Sequence, residues 1–363
     1  MSRLHELFED QGQSPWLDNL RRGWITSGEL AAWVERGVRG LTSNPSIFEK
    51  AIGGSADYDD QFSGLVAEGA SVEESYWELV TTDIQSALRI LRPVYDSSDG
   101  LDGYVSVEVD PGLARDTAGT AEAARQLHAA IDEPNLYVKI PGTSEGLPAI
   151  QQMIGEGRSI NVTLLFSLER YDQVMDAYIS GLEAADGDLS RISSVASFFI
   201  SRTESAVDAR LDAIGSPEAL ALKGRAAVAQ GQLAYKLFQE RFSGPRWDAL
   251  LERGARPQRP LWASTSTKNP EYPDTMYVDS LIGPDTVNTL PDATLEAFLD
   301  HGTVARTVDA DFDGATATLE AVELAGVDLE DVATTLETEG VASFEKSFDD
   351  LLATLEAKAS TLG

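Results

Sequence analysis

Short apolar runs that recur with helical stretches between them constrain the fold of this chain more than any other feature. Eight such runs fall near residues 15–18, 38–43, 104–109, 136–140, 160–165, 195–200, 261–264 and 276–280. A run that is apolar at almost every position predicts a strand buried on both faces. Alternation of such strands with helices predicts a parallel sheet assembled from βα units. Eight units suit closure into one α/β barrel, a (β/α)8 TIM barrel. The 363 residues, 42 % of them hydrophobic, suffice for one such core with extensions.

Two segments exceed what the barrel needs. Between the second and third runs, about 46–100, Ser71 and Glu74 form a capping-box pattern. Val72, Tyr76, Leu79, Val80, Ile84, Leu88 and Leu91 then follow helical spacing up to Pro93, which is expected to end the helix. This predicts a helical insertion after strand 2. From about 285 to 363 the chain is again expected to be helical. There Val341, Phe344, Phe348, Leu351, Leu352 and Leu355 make one apolar face of a terminal helix that packs across the barrel. No linker or composition shift divides the sequence, so residues 1–363 are read as one domain.

Several functions are excluded by what the chain contains. It has no cysteine, hence no disulfide, thiolate nucleophile or thiolate metal site. Its three histidines, His5, His128 and His301, lie away from the predicted strand ends, which leaves a Ser-His-Asp triad or a histidine metal site without members. No glycine-rich phosphate loop follows a strand. A net charge of −32, concentrated in a segment 285–363 with 18 acidic and three basic residues, opposes a nucleic-acid partner. No run is long enough to span a membrane, and residues 1–6 lack the basic-then-apolar pattern of a secretory leader. A soluble, cytoplasmic protein, monomer or homodimer, is expected.

In a barrel the strand ends converge on one face. Here they carry Asp18, Asn44, Glu108, Lys139, Thr163 and Ser197. Lys139 is one of only seven lysines, against 21 arginines, and it stands inside the apolar run Asn135-Leu136-Tyr137-Val138-Lys139-Ile140-Pro141. Desolvation disfavours an ammonium ion and frees the amine to condense with a carbonyl. The alternative is a strand-end lysine whose head reaches solvent. One amine, two carboxylates, amides and hydroxyls form a set suited to imine chemistry on a polar carbonyl compound, a Schiff-base lyase or transferase.

Four motifs make the reading specific. Leu41-Thr42-Ser43-Asn44-Pro45-Ser46, Val105-Ser106-Val107-Glu108-Val109, Val138-Lys139-Ile140-Pro141-Gly142-Thr143 and Ile160-Asn161-Val162-Thr163-Leu164-Leu165-Phe166-Ser167 occur in that order. With Trp16-Leu17-Asp18 and Ser197-Phe198-Phe199-Ile200-Ser201-Arg202 they resemble the transaldolases over about the first 200 residues. The closest likeness is to the longer, stand-alone bacterial type, without a fused phosphoglucose isomerase domain. The resemblance implies Schiff-base transfer of a dihydroxyacetone unit in the pentose phosphate pathway. Sedoheptulose 7-phosphate and glyceraldehyde 3-phosphate would give erythrose 4-phosphate and fructose 6-phosphate, with sugar phosphates as the partners and no metal or organic cofactor.

The same resemblance implies a role for each residue. Lys139 would form the imine, and Asp18 would be the base at the C4 hydroxyl, unless Asp18 caps a helix. Glu108 and Thr163 would hold the water of the dehydration step, unless Glu108 is only the ion-pair partner of Lys139. Asn44, Asn161 and Ser197 would bind substrate hydroxyls, with simple turn chemistry the alternative for Asn44 before Pro45. Phe199 would keep the intermediate dry, and Arg202 would bind phosphate with Ser264 and Lys268. The run Trp262-Ala263-Ser264-Thr265-Ser266-Thr267-Lys268-Asn269 departs from the Ala-Ser-Phe-Arg-Asn pattern of shorter relatives, and Ser264 aligns better than Lys268 does. Two other readings stay open: an aldolase that releases free dihydroxyacetone from fructose 6-phosphate, and a non-catalytic sugar-phosphate-binding barrel.

Overall fold

The computed structural model describes residues 2–362. Eight parallel strands form a closed barrel in chain order: β1 Gln13–Leu17, β2 Leu41–Thr42, β3 Val105–Glu108, β4 Leu136–Pro141, β5 Ile160–Leu165, β6 Ser194–Phe199, β7 Arg259–Ala263 and β8 Thr286–Leu290. Every strand residue is buried, the condition under which strands read as continuous apolar runs. The register sets β4 between its neighbours with Glu108 beside Lys139 and Lys139 beside Asn161. The barrel centre is filled by aromatic rings. Tyr104 stacks on Tyr137 at 4.0 Å, and Trp16 lies 6.0 Å beyond. The Trp16 ring covers Gly40 so closely that a Cβ there would meet it at 2.4 Å, which requires glycine just before β2.

Two expectations are corrected. Residues 276–280 are not a strand but the short helix Met276–Asp279, and the eighth strand lies at Thr286–Leu290, inside the segment expected to be helical from about 285. The true strand carries Thr286, Asn288 and Thr289. Two of them take up bonds from across the barrel: Gln13 donates to Thr286 Oγ1 at 2.9 Å, and the Thr265 hydroxyl to Asn288 Oδ1 at 2.9 Å. Polar partners supplied by neighbouring strands removed the apolar signal. The second correction is that helix Val72–Ser97 runs through Pro93. The carbonyl that Pro93 leaves without a donor belongs to the exposed residue Arg89, where water can serve it, while buried Leu91 and Tyr95 hold the last turn.

Four helical segments, Pro45–Gly53, Ala56–Tyr58, Asp59–Ala67 and Val72–Ser97, separate β2 from β3. After β8 come Asp292–His301, Phe312–Leu324 and the 34-residue terminal helix Leu329–Leu362. The terminal helix crosses the face of the barrel where the strands end. Phe348 packs edge-on against Tyr76 at 5.1 Å, and Ser347 bonds to Ser46 at 2.7 Å.

One buried carboxyl makes the fold sensitive to pH. Glu204, 1 % exposed on helix Ser201–Ile214, accepts from the backbone N–H groups of Ala226 and Ala227 at 3.1 and 3.3 Å. Burial, and then nearby Asp208, push it up to about 7. The folded protein therefore holds this proton more tightly than the unfolded chain, and its stabilising effect is lost as pH rises from about 4.5 through about 7. Glu204→Gln is expected to remove that slope, so the variant gains on the wild type as pH is raised across this window. Urea midpoints measured at a series of pH values check it, and parallel curves would discharge Glu204 as the titrating group.

Candidate active site

Lys139 sits in β4 with 4 % exposure, so the snorkelling alternative is not realised. Its Nζ lies 3.4 Å from Glu108 Oε2 on β3 and donates to the carbonyl of Ser43 at 3.4 Å. Among the described residues neither Glu108 oxygen has a well-aligned hydrogen bond, and the Thr163 hydroxyl on β5 has none either. Apart from the Lys139–Glu108 ion pair, these buried acceptors on the two strands beside β4 keep bonding capacity unused, with Thr163 opposite Pro141 in the register. Burial pushes the Glu108 carboxyl above its ordinary value, and Lys139 opposes this without cancelling it.

Asn161 and Ser197 form a second buried group beside the amine. Ser197 donates to Asn161 Oδ1 at 2.8 Å, and Asn161 Nδ2 donates to the Ser106 hydroxyl at 3.0 Å, which orients the amide. Asn44 does both things considered for it. Its Oδ1 caps helix Pro45–Gly53 by accepting from Ile47 N at 3.0 Å, and the residue also lines the cavity at the barrel mouth. Asp18 does not cap a helix. It lies just past β1 and lines the same cavity, and among the described residues its carboxyl makes no hydrogen bond. Burial raises it, Lys139, Arg202 and Lys268 pull it back, and Asp292 pushes it up again.

The cavity holds about 500 Å³. Its wall carries three cations that form no salt bridge among the described residues, Arg202, Lys268 and Lys50; burial and then Arg202 pull Lys268 down, Asp18 opposes them, and Lys50 adds to the lowering. Among the described residues Arg202 has no carboxylate partner. Its guanidinium lies 5.1 Å from the Phe199 ring and 5.8 Å from the Phe344 ring. Arg21, also in the wall, is neutralised by Asp292 at 2.9 Å. Within a chain of charge −32 this spot is locally positive and suited to a dianion.

The structure separates Ser264 from Lys268 in the opposite sense to the motif alignment. Lys268 reaches the cavity, braced by Ser266 at 2.6 Å. Ser264, at φ +57°, turns to Ser201: the two hydroxyls are 2.8 Å apart, and the carbonyl of Ser264 accepts from Ser201 N at 3.0 Å. It braces the start of the helix that carries Arg202 and is not part of the cavity wall. Phe199, 7 % exposed, supports Arg202 from beneath and is not in the wall either.

Sequence reasoning missed Lys50 and Phe344. Lys50 had a signal, because Ile47, Lys50 and Ala51 recur at helical spacing after Asn44 and all line the cavity. Phe344 belongs to an apolar stripe that read as core throughout, and nothing in its spacing distinguished it from Phe348.

A family model described as Transaldolase/Fructose-6-phosphate aldolase matches residues 15–355. The chain is 53 % identical to a transaldolase of Thermobifida fusca, over 97 % of this chain and 96 % of that one. It is 52 % identical to a transaldolase of Acidothermus cellulolyticus over 94 % and 93 %. With Transaldolase 1 of Streptomyces coelicolor the identity is 50 % over 98 % and 94 %.

Proposed function

The chain belongs to the transaldolase/fructose-6-phosphate aldolase family, and on that premise we propose that it moves a dihydroxyacetone unit between sugar phosphates through an imine on Lys139. The observation that carries this reading is the buried amine of Lys139 with Glu108 at 3.4 Å, next to a cavity whose wall carries Arg202, Lys268 and Lys50. In the reaction so read, Lys139 Nζ adds to the C2 carbonyl of the donor ketose phosphate. Glu108 and Thr163, whose acceptor atoms are uncommitted, hold the water through which a proton reaches the departing hydroxyl. Asp18 takes the proton of the C4 hydroxyl, the C3–C4 bond breaks, and the iminium accepts the electron pair to become an enamine. Asn44 and the Asn161–Ser197 pair hold the hydroxyls of the bound fragment until an aldehyde phosphate enters and the steps reverse.

The acceptor decides between transfer and simple release. With fructose 6-phosphate as donor, glyceraldehyde 3-phosphate is expected to form at a useful rate only when erythrose 4-phosphate is present. Equal rates with and without the acceptor would replace transfer by aldolase activity.

The phosphate end rests on Arg202, Lys268 and Lys50. Arg202→Ala is expected to lower kcat/KM for phosphorylated donors by roughly 10- to 100-fold, mostly through KM, because one charge-assisted contact is worth about 1.5–3 kcal/mol. Lys268→Ala, at a more exposed position, is expected to cost less. Steady-state kinetics with fructose 6-phosphate and with unphosphorylated fructose checks both, since the loss should vanish when the phosphate is absent.

A further inference from the structure

The barrel strands supply the amine and its proton-handling groups, but the surface that faces them comes from the terminal helix, far along the chain. Phe344 of the terminal helix is 2 % exposed and lines the cavity. Its ring centre is 6.0 Å from Lys139 Nζ and 5.8 Å from the Arg202 guanidinium, so one ring spans the nucleophile and the phosphate anchor. The Arg202 guanidinium is within cation–π reach of both the Phe199 ring, at 5.1 Å, and the Phe344 ring, at 5.8 Å.

The helix is fastened on both sides of this residue. Before it, Glu337 lies 3.7 Å from both Arg115 and Arg170. At Gly340 the backbone comes so close that a Cβ would meet Leu164 at 3.0 Å and Arg202 at 3.6 Å. Leu164 has φ +60° where the β5–β6 register shifts between Val162 and Leu165, an irregularity of the kind that re-aims a strand side chain. After it, Ser347 bonds to Ser46, and Phe348 packs on Tyr76. Phe344 is therefore held in place over the amine as part of a fixed plate.

We propose that Phe344 is a specificity-determining residue that keeps the Lys139 enamine from water and thereby favours transfer over release of free dihydroxyacetone. The inference rests on the imine reading of Lys139. Release requires the enamine carbon to take a proton from solvent water. A water molecule must then add to the C=N bond of the iminium, and the carbinolamine must collapse to dihydroxyacetone and the free amine. A phenyl ring offers no proton and occupies the space through which water would come. The aldehyde acceptor needs no proton at that carbon, because it forms the new carbon–carbon bond there.

The test is the ratio of free dihydroxyacetone to transferred product from labelled fructose 6-phosphate with erythrose 4-phosphate present. It is measured in wild type, Phe344→Ala, Phe344→Leu and Phe348→Ala, together with borohydride trapping on Lys139. Phe344→Ala is expected to raise the ratio roughly tenfold, a change of about 1.4 kcal/mol between the competing barriers, with Phe344→Leu between it and the wild type. Phe348→Ala weakens the same helix one turn away without opening the cavity wall and is expected to leave the ratio unchanged. An unchanged ratio in Phe344→Ala with trapping intact overturns the proposal, and so does an equal rise in Phe348→Ala, which would assign the effect to the helix and not the ring. Failure of trapping in the wild type would instead overturn the imine reading itself.

Discussion

Lys139→Ala is expected to lower transfer at least ~10⁴-fold, the scale on which loss of a covalent nucleophile acts, and to leave the barrel folded. The fold should survive because the partner left behind is Glu108. Burial already raises that carboxyl above its ordinary value, and loss of the Lys139 cation, with only Arg202 left to oppose burial, raises it further and makes a neutral buried acid easier to form. The chemistry should not survive. No other lysine lies in the barrel: Lys50 and Lys268 are exposed residues of the cavity wall, and neither has a carboxylate and a free hydroxyl set against it from adjoining strands. Borohydride reduction in the presence of fructose 6-phosphate should leave the sugar adduct on the peptide that contains Lys139, and on none in the variant. An adduct on another lysine, or residual turnover near the wild-type rate, would overturn the assignment.

Asp102→Ala is expected to destabilise the protein by about 3–5 kcal/mol, the scale for stripping a buried ion of its partner. Asp102 lies in the turn before β3, with no exposed surface. Oδ2 accepts from the Ser14 hydroxyl at 2.8 Å and from Arg39 Nε at 2.7 Å. Oδ1 accepts from Arg259 Nη2 at 3.0 Å and Trp16 Nε1 at 3.2 Å. Burial alone would raise this carboxyl, but Arg259 and Arg39 outweigh it and hold it below the ordinary value. It thus ties β1 and β7 together across the floor of the barrel, at the end away from the site. Removing it leaves Arg259, 5 % exposed, without a counter-charge. For a chain of 363 residues that corresponds to a melting temperature lower by roughly 5 °C. Calorimetry checks the loss, and trapping of Lys139 at low temperature should persist, since the site is built at the other end of the strands. A melting temperature within a degree of the wild type would show that the network contributes little.

How much was legible depended on where each residue's partners come from. Runs 136–140, 160–165 and 195–200 lie within a residue of β4, β5 and β6, because apolar residues such as Val138, Ile140, Val162, Leu165, Ala196 and Phe198 outnumber the buried polar ones there and carry a local signal. β8 was displaced because Thr286 and Asn288 are buried by bonds to Gln13 and Thr265, contacts of high sequence separation that leave no local pattern. Pro93 misled for a related reason, since a proline stops a helix only where the freed carbonyl has nowhere to turn. At the site, Lys139, Glu108 and Thr163 were visible as polar residues out of place in apolar strands. The roles of Ser264 and Lys268 were not, because a loop's direction is set by backbone geometry such as the positive φ of Ser264.

Apolar runs and misplaced polar residues determined the barrel, its buried amine and the carboxylate beside it, all properties of short segments that carry their own signal. Only the tertiary structure decided that Lys50 joins Arg202 and Lys268, and that one ring of a long apolar stripe, Phe344, faces Lys139 while its neighbour Phe348 packs against Tyr76. Helical spacing tells that a face is buried. What it is buried against depends on the path of a chain that returns across the barrel mouth long after the strand that carries the amine.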